Sequence, residues 1–469
     1  MQPPTHVRRP CHRGIVPPYL LRHIARAADE TLAAPARASL LIDADHRTRR
    51  ASVRPTSPTP TDAGAGDGDG PLRTIGDAHS TTELPGDTVR VEGAPPTADA
   101  AVDEAYDGLG ATWALFHDVY GRDSLDDAGL PLSATVHYGR DYDNAFWDGS
   151  RMVFGDGDGQ VFGRFTVAVD VIGHELTHGV TEKTAGLVYR GQSGALNESI
   201  ADVFGSLVKQ RLLGQDAGGA DWLIGAGLFQ PAIAGRGLRS MKAPGTAYDD
   251  PVLGRDPQPA TMAGFVVTTD DNGGVHTNSG IPNYAFYLAA VAIGGDASTG
   301  AGRIWYDVLT GGRLAADADF AAFAALTVTA AVTRFGAGSA QVAAVTGAWT
   351  TVGVMGAPRA RSSAPSSGSP GSVPAAPTSG LVGVARSGGL TGRRLEREVD
   401  LDELPDEQAE QWRTLLGSGL LLALPEAEPA PDRFVYHVWC PGAGLDVTAG
   451  EAQLPDHVRW TFEATLRSP

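Results

Sequence analysis

The chain has 469 residues, 42% of them hydrophobic, with two cysteines and a net charge of −18 from 55 acidic and 37 basic side chains. That length allows several cores, the acidic balance argues against nucleic-acid or anionic-membrane partners, and two cysteines make no disulfide framework. No stretch reaches the roughly 18 apolar residues of a membrane span, and Met1 to Arg13 lacks the apolar core of a secretory signal. Synthesis in the cytoplasm without a signal peptide is therefore expected, with later export by a non-standard route left open.

From the N-terminus, Cys11 is followed by Gly14-Ile15-Val16-Pro17-Pro18-Tyr19-Leu20-Leu21-Arg22-His23-Ile24. Pro18 suits a first helical position, and Tyr19, Leu20, Ile24 and Ala28 are spaced to share an apolar stripe. A disordered basic arm is the competing reading. Residues 51–71 hold Pro55, Pro58 and Pro60 and then a Gly, Ala and Asp run, a flexible linker that separates residues 1–50 from a body at 72–356. The body opens strand-rich, with the alternating pairs Val89, Val91 and Val136, Tyr138. Asn144-Ala145-Phe146-Trp147 comes next, then Val153-Phe154-Gly155-Asp156-Gly157-Asp158-Gly159. The last four residues look like the start of a calcium loop but lack the twelve-residue spacing ending in Glu, so they are read as a turn.

His174-Glu175-Leu176-Thr177-His178 packs two imidazoles and a carboxylate into five residues. On a helix the histidines, at i and i+4, leave one face and can share one Zn²⁺, with Glu175 beside them to act on a metal-bound water. A third ligand is needed, and Gly194-Ala195-Leu196-Asn197-Glu198-Ser199-Ile200-Ala201-Asp202 offers Glu198 and Asp202, again i and i+4. Glu198 is read as the third ligand and Asp202 as the acceptor for the spare N–H of a ligating imidazole. Spaced acids usually form a solvated helix face, but Ala195, Leu196, Ile200, Ala201, Val203 and Phe204 mark this helix as buried, and buried acids need partners.

From about residue 205 the chain is expected to be Ala-rich and helical, as at Tyr284 to Ile293 and Phe320 to Phe335, so that a cleft falls between two lobes. Leu238-Arg239-Ser240-Met241 and Asp271-Asn272-Gly273-Gly274-Val275-His276-Thr277-Asn278-Ser279-Gly280 interrupt this pattern. Residues 357–380, almost all Ala, Pro, Ser and Gly, form a second linker. A compact segment, 381–469, follows, with Arg386-Ser387-Gly388-Gly389-Leu390, a strand-like Pro431 to Val438, and amphipathic helices at Pro405 to Leu416 and Asp456 to Leu466 around Trp412, Val458, Phe462 and Leu466.

With five motifs in order between about residues 72 and 356, the body resembles the thermolysin family of zinc endopeptidases. The resemblance implies an α+β fold: a two-lobed catalytic domain, strand-rich then helical, with the zinc cleft between, plus a small α+β C-terminal domain. It implies one catalytic Zn²⁺ on His174, His178 and Glu198, with Glu175 as the general base. Tyr189 and His276 would be donors to the developing oxyanion, and Asp271 would orient His276. Arg239 would hold a substrate carbonyl, and Asn144 and Ala145 would align the peptide as an added strand. A pocket of Val171, Leu238, Phe162 and Phe165, with Ile224 and Leu228 near, would take a bulky apolar side chain just after the scissile bond. The family's two-calcium site keeps Asp170 and Asp221, but Lys209, Leu223 and Ala226 stand where its other acids are expected, so no double Ca²⁺ site is expected.

That departure points to the protealysin-like branch, and residues 14–24 resemble its short propeptide, whose Pro17, Pro18 and Tyr19 would dock in the cleft. The Cys11 thiolate would cap the zinc before cleavage, although a lone Cys is commonly just a small hydrophobe. Residues 381–469 resemble emfourin, the inhibitor that accompanies such enzymes, against the alternative of a targeting or structural appendage. The partners implied are protein or peptide substrates, the chain's own propeptide and its C-terminal domain. A non-proteolytic binding protein of the same fold is the rival class; it would be free to lose Glu175 or His276, and both are present.

Overall fold

The computed structural model describes residues 13–52, 70–355 and, in the C-terminal segment, 381–388, 395–402, 404, 406–417, 421, 434–440, 445–451, 454 and 456–467. Cys11, residues 53–69 of the first linker and the whole of the second lie outside the described residues; residues 51–52, expected to open the linker, instead end a helix. The chain divides into two compact units, residues 1–359 and 360–469.

In the first unit a short strand β1 (Arg13–Gly14) leads into α1 (Pro18–Ile24) and the long α2 (Glu30–Ser52). Pro18 opens α1 with Pro17 as its cap, a position where a missing N–H costs nothing. The buried residues of α1 are Leu20, Leu21 and Ile24; Ala28 lies beyond the helix and is exposed, so the expected stripe is one turn shorter and includes Leu21.

The strand-rich lobe contains β2 (Arg73–Asp77), β3 (Asp87–Val91), α3 (Ala100–Ala114), β4 (Leu132–Val136), β5 (Ala145–Trp147) and β6 (Met152–Phe154). Its sheet runs β1-β5-β6-β4-β2-β3, with β1 antiparallel to β5, so the N-terminal segment extends the sheet across the edge that β5 would otherwise present. Val136 and Tyr138 are buried, but Val89 and Val91 are exposed. On this edge strand Arg90 is the inward residue, its guanidinium 3.7 Å over the Tyr106 ring and 2.7 Å from Asp103.

Two helices, α4 (Val169–Lys183) and α5 (Gly191–Leu212), form the floor of the cleft. They cross at glycines: a Cβ on Gly173 would come 3.0 Å from the Gly205 Cα, and one on Gly205 would come 2.3 Å from the Asp170 carbonyl oxygen. Only hydrogens fit there, and that closeness lets side chains from the two helices converge.

After α5 the chain is not yet helical. The pairs β7 (Leu223–Ile224) with β8 (Arg239–Ser240) and β9 (Asp249–Asp250) with β10 (Gly254–Arg255) occupy the next stretch, among frequent Gly turns. Helices resume with α6 (Asp271–Asn278), α7 (Gly280–Ile293), α8 (Ala301–Thr310), α9 (Phe320–Phe335) and α10 (Ala340–Thr351), packed through Trp305, Phe323 and Trp349. The fold is α+β, a strand-rich lobe followed by a helical one.

The second unit is a four-stranded antiparallel sheet, β12-β11-β13-β14, made of β11 (Leu381–Gly388), β12 (Leu395–Asp400), β13 (Phe434–Cys440) and β14 (Leu445–Gly450). Helices α11 (Asp406–Gly417) and α12 (Asp456–Arg467) close a core of Val382, Val384, Trp412, Tyr436, Val438, Val458 and Phe462.

Candidate active site and metal centre

His174, Glu175 and His178 on α4 and Glu198 on α5 are all essentially without solvent exposure. The two imidazoles stand at 87° with centroids 4.7 Å apart. His174 Nε2 lies 3.5 Å from Glu198 Oε2, and His178 Nε2 lies 3.4 Å from Glu198 Oε1. Ligands about 2.0–2.1 Å from a tetrahedral zinc sit about 3.4 Å from one another. Both His174 Nε2 and Glu198 Oε2 are buried without a hydrogen-bond partner, the signature of atoms whose partner is a metal rather than protein. The donor set fits one zinc ion.

The far side of each imidazole is fixed. His174 Nδ1 donates to Asp202 Oδ1 at 2.8 Å, and His178 Nδ1 donates to Asn197 Oδ1 at 2.8 Å. With the proton on Nδ1, each Nε2 presents a lone pair to the centre. Asp202 also receives Arg239 through two bonds, Nε to Oδ2 at 2.8 Å and Nη2 to Oδ1 at 2.9 Å, and Asn283 Nδ2 at 2.8 Å. Burial would raise the Asp202 carboxyl, but Arg239 and His174 hold it well below the usual carboxylate range.

Tyr189 donates its hydroxyl to Glu198 Oε1 and lies 3.3 Å from His276 Nε2. His276 is set by a left-handed turn: Asp271, Asn272, Gly273 and Gly274 have φ of 50°, 53°, 88° and 74°, a run that two glycines and an asparagine tolerate. The turn swings Asp271 back so that Oδ2 accepts the His276 N–H at 2.9 Å and Oδ1 meets Nδ1 at 2.7 Å. Burial works against the imidazolium, yet the carboxylates of Asp271 and Glu198 outweigh it and push the His276 pKa up to about 9.

Glu175 Oε2 accepts the Trp147 N–H at 3.0 Å, which ties the acid to β5. Phe162, Phe165, Val171, Ile224, Leu228 and Leu238 are all buried in one core with Ile15 and Val16. Asp158 Oδ1 accepts the N–H groups of Gln160, Val161 and Phe162, which makes the Asp156 to Gly159 stretch a turn rather than an ion loop.

The N-terminal segment lies in this cleft. Ile15 N–H donates to the Ala145 carbonyl at 3.0 Å, Val16 N–H donates to Asn144 Oδ1 at 3.0 Å, and Arg239 Nη1 donates to the Ile15 carbonyl at 3.0 Å. Pro17 is buried, while Pro18 and Tyr19 are half-buried on α1. Sequence reasoning missed the contribution of α2. Ser39 Oγ accepts the Asp143 N–H at 2.9 Å, and His46 Nε2 meets the Tyr138 hydroxyl at 2.5 Å. Asp43 accepts from the Tyr142 hydroxyl at 2.6 Å and from Asn144 Nδ2 at 3.1 Å. The i, i+4, i+7 spacing of these polar residues on an Ala-rich helix was the available signal. Asn197 was also missed, although it directly precedes Glu198.

Where the family's calcium acids would cluster, the Lys209 ammonium sits 2.8 Å from Asp170 Oδ2, 2.9 Å from Asp221 Oδ1 and 2.5 Å from the Leu223 carbonyl. Among the described residues no helix is long and apolar enough to cross a membrane.

Comparison with known proteins agrees with this geometry. Residues 74–182 match the thermolysin metallopeptidase catalytic domain, and residues 185–354 match the thermolysin metallopeptidase alpha-helical domain. Residues 384–466 match emfourin. The chain is 59% identical over 282 residues to an "Extracellular metalloprotease" of Pectobacterium carotovorum subsp. carotovorum, covering 60% of this chain and 81% of that protein. It is 50% identical over 322 residues to "Protease PrtS" of Photorhabdus sp. (strain Az29), covering 68% and 86%. Among solved structures, the precursor of protealysin, a metalloproteinase from Serratia proteamaculans, superposes with a TM-score of 0.66 at 53% identity, covering 73% of this chain and all of that one.

Proposed function

This chain is a metalloendopeptidase of the thermolysin family, and we propose that it uses zinc to cut peptide bonds on the N-terminal side of bulky hydrophobic residues. It is made as a self-processing zymogen, and its emfourin-like domain restrains it. In this reading residues 1–50 are the propeptide, 51–71 and 357–380 are linkers, 72–356 is the peptidase and 381–469 is the inhibitory domain.

The observation that carries the reading is the convergence of His174, His178 and Glu198 beside Glu175 in a cleft already filled by an extended segment of the chain. Zinc held by His174, His178 and Glu198 would polarise the scissile carbonyl and acidify a bound water. Glu175 takes the proton from the attacking water and passes it to the leaving amine nitrogen. Tyr189 and His276 donate to the carbonyl oxygen as charge grows on it, with Asp271 Oδ1, 2.7 Å from Nδ1, orienting the His276 ring. Asn144, Ala145 and Arg239 align the peptide, and the buried apolar pocket selects the side chain that follows the cut. Lys209 places one positive charge between Asp170 and Asp221, which supports function without a double calcium site. By analogy with relatives named as extracellular, the enzyme works outside the cytoplasm.

The test is hydrolysis of a quenched peptide with an internal Phe or Leu, by the full chain and by a version ending at Gly356, each with a zinc chelator and as Glu175→Ala. Chelator-sensitive activity that rises on truncation supports enzyme and tethered inhibitor together, since covalent linkage makes inhibitor binding an intramolecular event. Equal activity in both lengths refutes the inhibitor assignment. No activity in either length, with zinc added and the propeptide removed, refutes the protease reading.

A further inference from the structure

His276 stands on a helix too short to hold it. Asp271, Asn272, Gly273 and Gly274 all have positive φ, so the regular part of α6 is a single turn over 275–278, and α7 begins at Gly280. One turn of main-chain bonds fixes little by itself. The position of His276, and with it the 3.3 Å from its Nε2 to the Tyr189 hydroxyl, therefore depends on bonds from outside the helix. On the N-terminal side Asp271 takes the main-chain N–H and the ring. On the C-terminal side the His276 carbonyl receives two donors, Gln258 Nε2 at 2.8 Å and Ser279 Oγ at 2.9 Å. Gln258 Nε2 also donates to Ser279 Oγ at 3.0 Å, which closes a triangle around that carbonyl.

Gln258 lies on the loop after β10 and is 3% exposed. Its own N–H donates to Asp256 Oδ1 at 3.0 Å, while Asp256 Oδ2 accepts the N–H groups of Gly245 and Ala247, each at 3.0 Å. The side chain is thus anchored at its base before it reaches His276. The approach is close: a Cβ on Gly280 would come 2.7 Å from the Pro259 carbonyl oxygen and 3.0 Å from Gln258 Cβ, so the α6–α7 junction comes this near because residue 280 is glycine. The residue type is informative as well. A carbonyl oxygen can only accept, so the amide must turn Nε2 toward it, which leaves Gln258 Oε1 buried without a partner. Packing alone would be served better by Met or Leu, which strand no acceptor.

Resting on the peptidase reading, we propose that Gln258 is a positioning residue for His276. It fixes the main chain of His276, and through it the distance from Nε2 to the oxygen that gains charge. Asp271 aims the ring; Gln258 sets the point from which the ring is aimed. The effect belongs to kcat, because His276 donates most strongly once charge has grown, while Asn144, Ala145 and Arg239 align the peptide elsewhere in the cleft.

The test is steady-state hydrolysis of the quenched peptide by the full chain after processing, with each variant prepared as the wild type is. Gln258→Met keeps the length of the side chain and removes its donors. It should lower kcat on the order of 10-fold, less than the roughly 10²–10³-fold cost of deleting an oxyanion donor, with KM within about 2-fold. In a His276→Ala background the same change should cost nothing further, since it acts through that ring; a residue that merely holds the fold would cost as much in both backgrounds. Ser279→Ala removes the second donor to the same carbonyl and should lower kcat in the same manner but less. If Gln258→Met does not fold, unchanged kcat in Ser279→Ala overturns the proposal. Unchanged kcat in a folded Gln258→Met, a loss confined to KM, or an undiminished loss in the His276→Ala background would also overturn it. A wild-type chain that hydrolyses nothing would overturn the peptidase reading instead, a result distinct from a working enzyme indifferent to residue 258.

Discussion

Replacing Lys209 with Met removes an internal cation while keeping an apolar stem of similar length. Lys209 is 8% exposed and Asp170 is 1% exposed, so the variant leaves a carboxylate in the interior whose remaining donor is the Gly225 N–H at 3.3 Å. Breaking a buried pair by removing one partner costs about 3–5 kcal/mol. For a body of roughly 290 residues the unfolding entropy is about 0.6 kcal/mol/K, so a loss near 4 kcal/mol lowers Tm by about 6 °C. Calorimetry in a Glu175→Ala background, to prevent self-digestion, would measure it. Burial already raises the Asp170 pKa, and loss of the cation raises it further. An acid with a raised folded pKa binds more protons folded than unfolded, so the variant's deficit should shrink as pH falls. Lys209→Met with Asp170→Asn should recover most of the loss, because neither charge is then stranded. Wild-type Tm should not respond to millimolar calcium. An unchanged Tm in the single variant, or a calcium-dependent rise in the wild type, would refute the argument that Lys209 is the resident cation.

Two further outcomes follow from named contacts. His137 lies between Asp156 and Asp99, which outweigh its partial burial and push its pKa up to about 9. Its contribution to stability is complete below the unfolded value near 6.5 and is lost as pH rises through about 9, so Tm should fall across that window in the wild type and flatten in His137→Gln. Asn197→Ala and Asp202→Asn each unfix one ligating imidazole and should weaken zinc binding about 10–100-fold in competition with a chromogenic chelator; unchanged affinity would sink the orienting role.

What was legible in the sequence was local. His174 and His178 share a helix face because of spacing alone, as do Glu198 and Asp202, and the apolar residues around α5 announced its burial. The α9 helix could be read in the same way. What was illegible depends on distant pairings. Val16 reaches Asn144 across 128 positions, and Arg239 reaches Ile15 across 224. No periodicity encodes either contact. The stretch after α5 was read as helical because its alanines suggested it, but positive-φ glycines such as Gly225 and Gly227 favour the short strand pairs that hold Ile224 against Leu238. Val89 and Val91 mark the strand but face outward, because an edge strand can bury an arginine when a tyrosine ring and an aspartate receive it.

Arg239 touches the Ile15 carbonyl with one nitrogen and both oxygens of Asp202 with its other two, and Asp202 in turn holds His174. A carbonyl bound at Nη1 therefore shares the cation that neutralises Asp202, and the charge left on Asp202 sets how basic the ligating nitrogen of His174 is. Peptide occupancy and metal affinity become two readings of one coupled equilibrium. By thermodynamic reciprocity, whatever factor a bound peptide applies to zinc affinity, zinc applies to peptide affinity. On the zymogen reading proposed above, the latent chain, which carries its own peptide, would differ from the processed enzyme in its hold on the metal as well as in access to it, with every ligand residue unchanged.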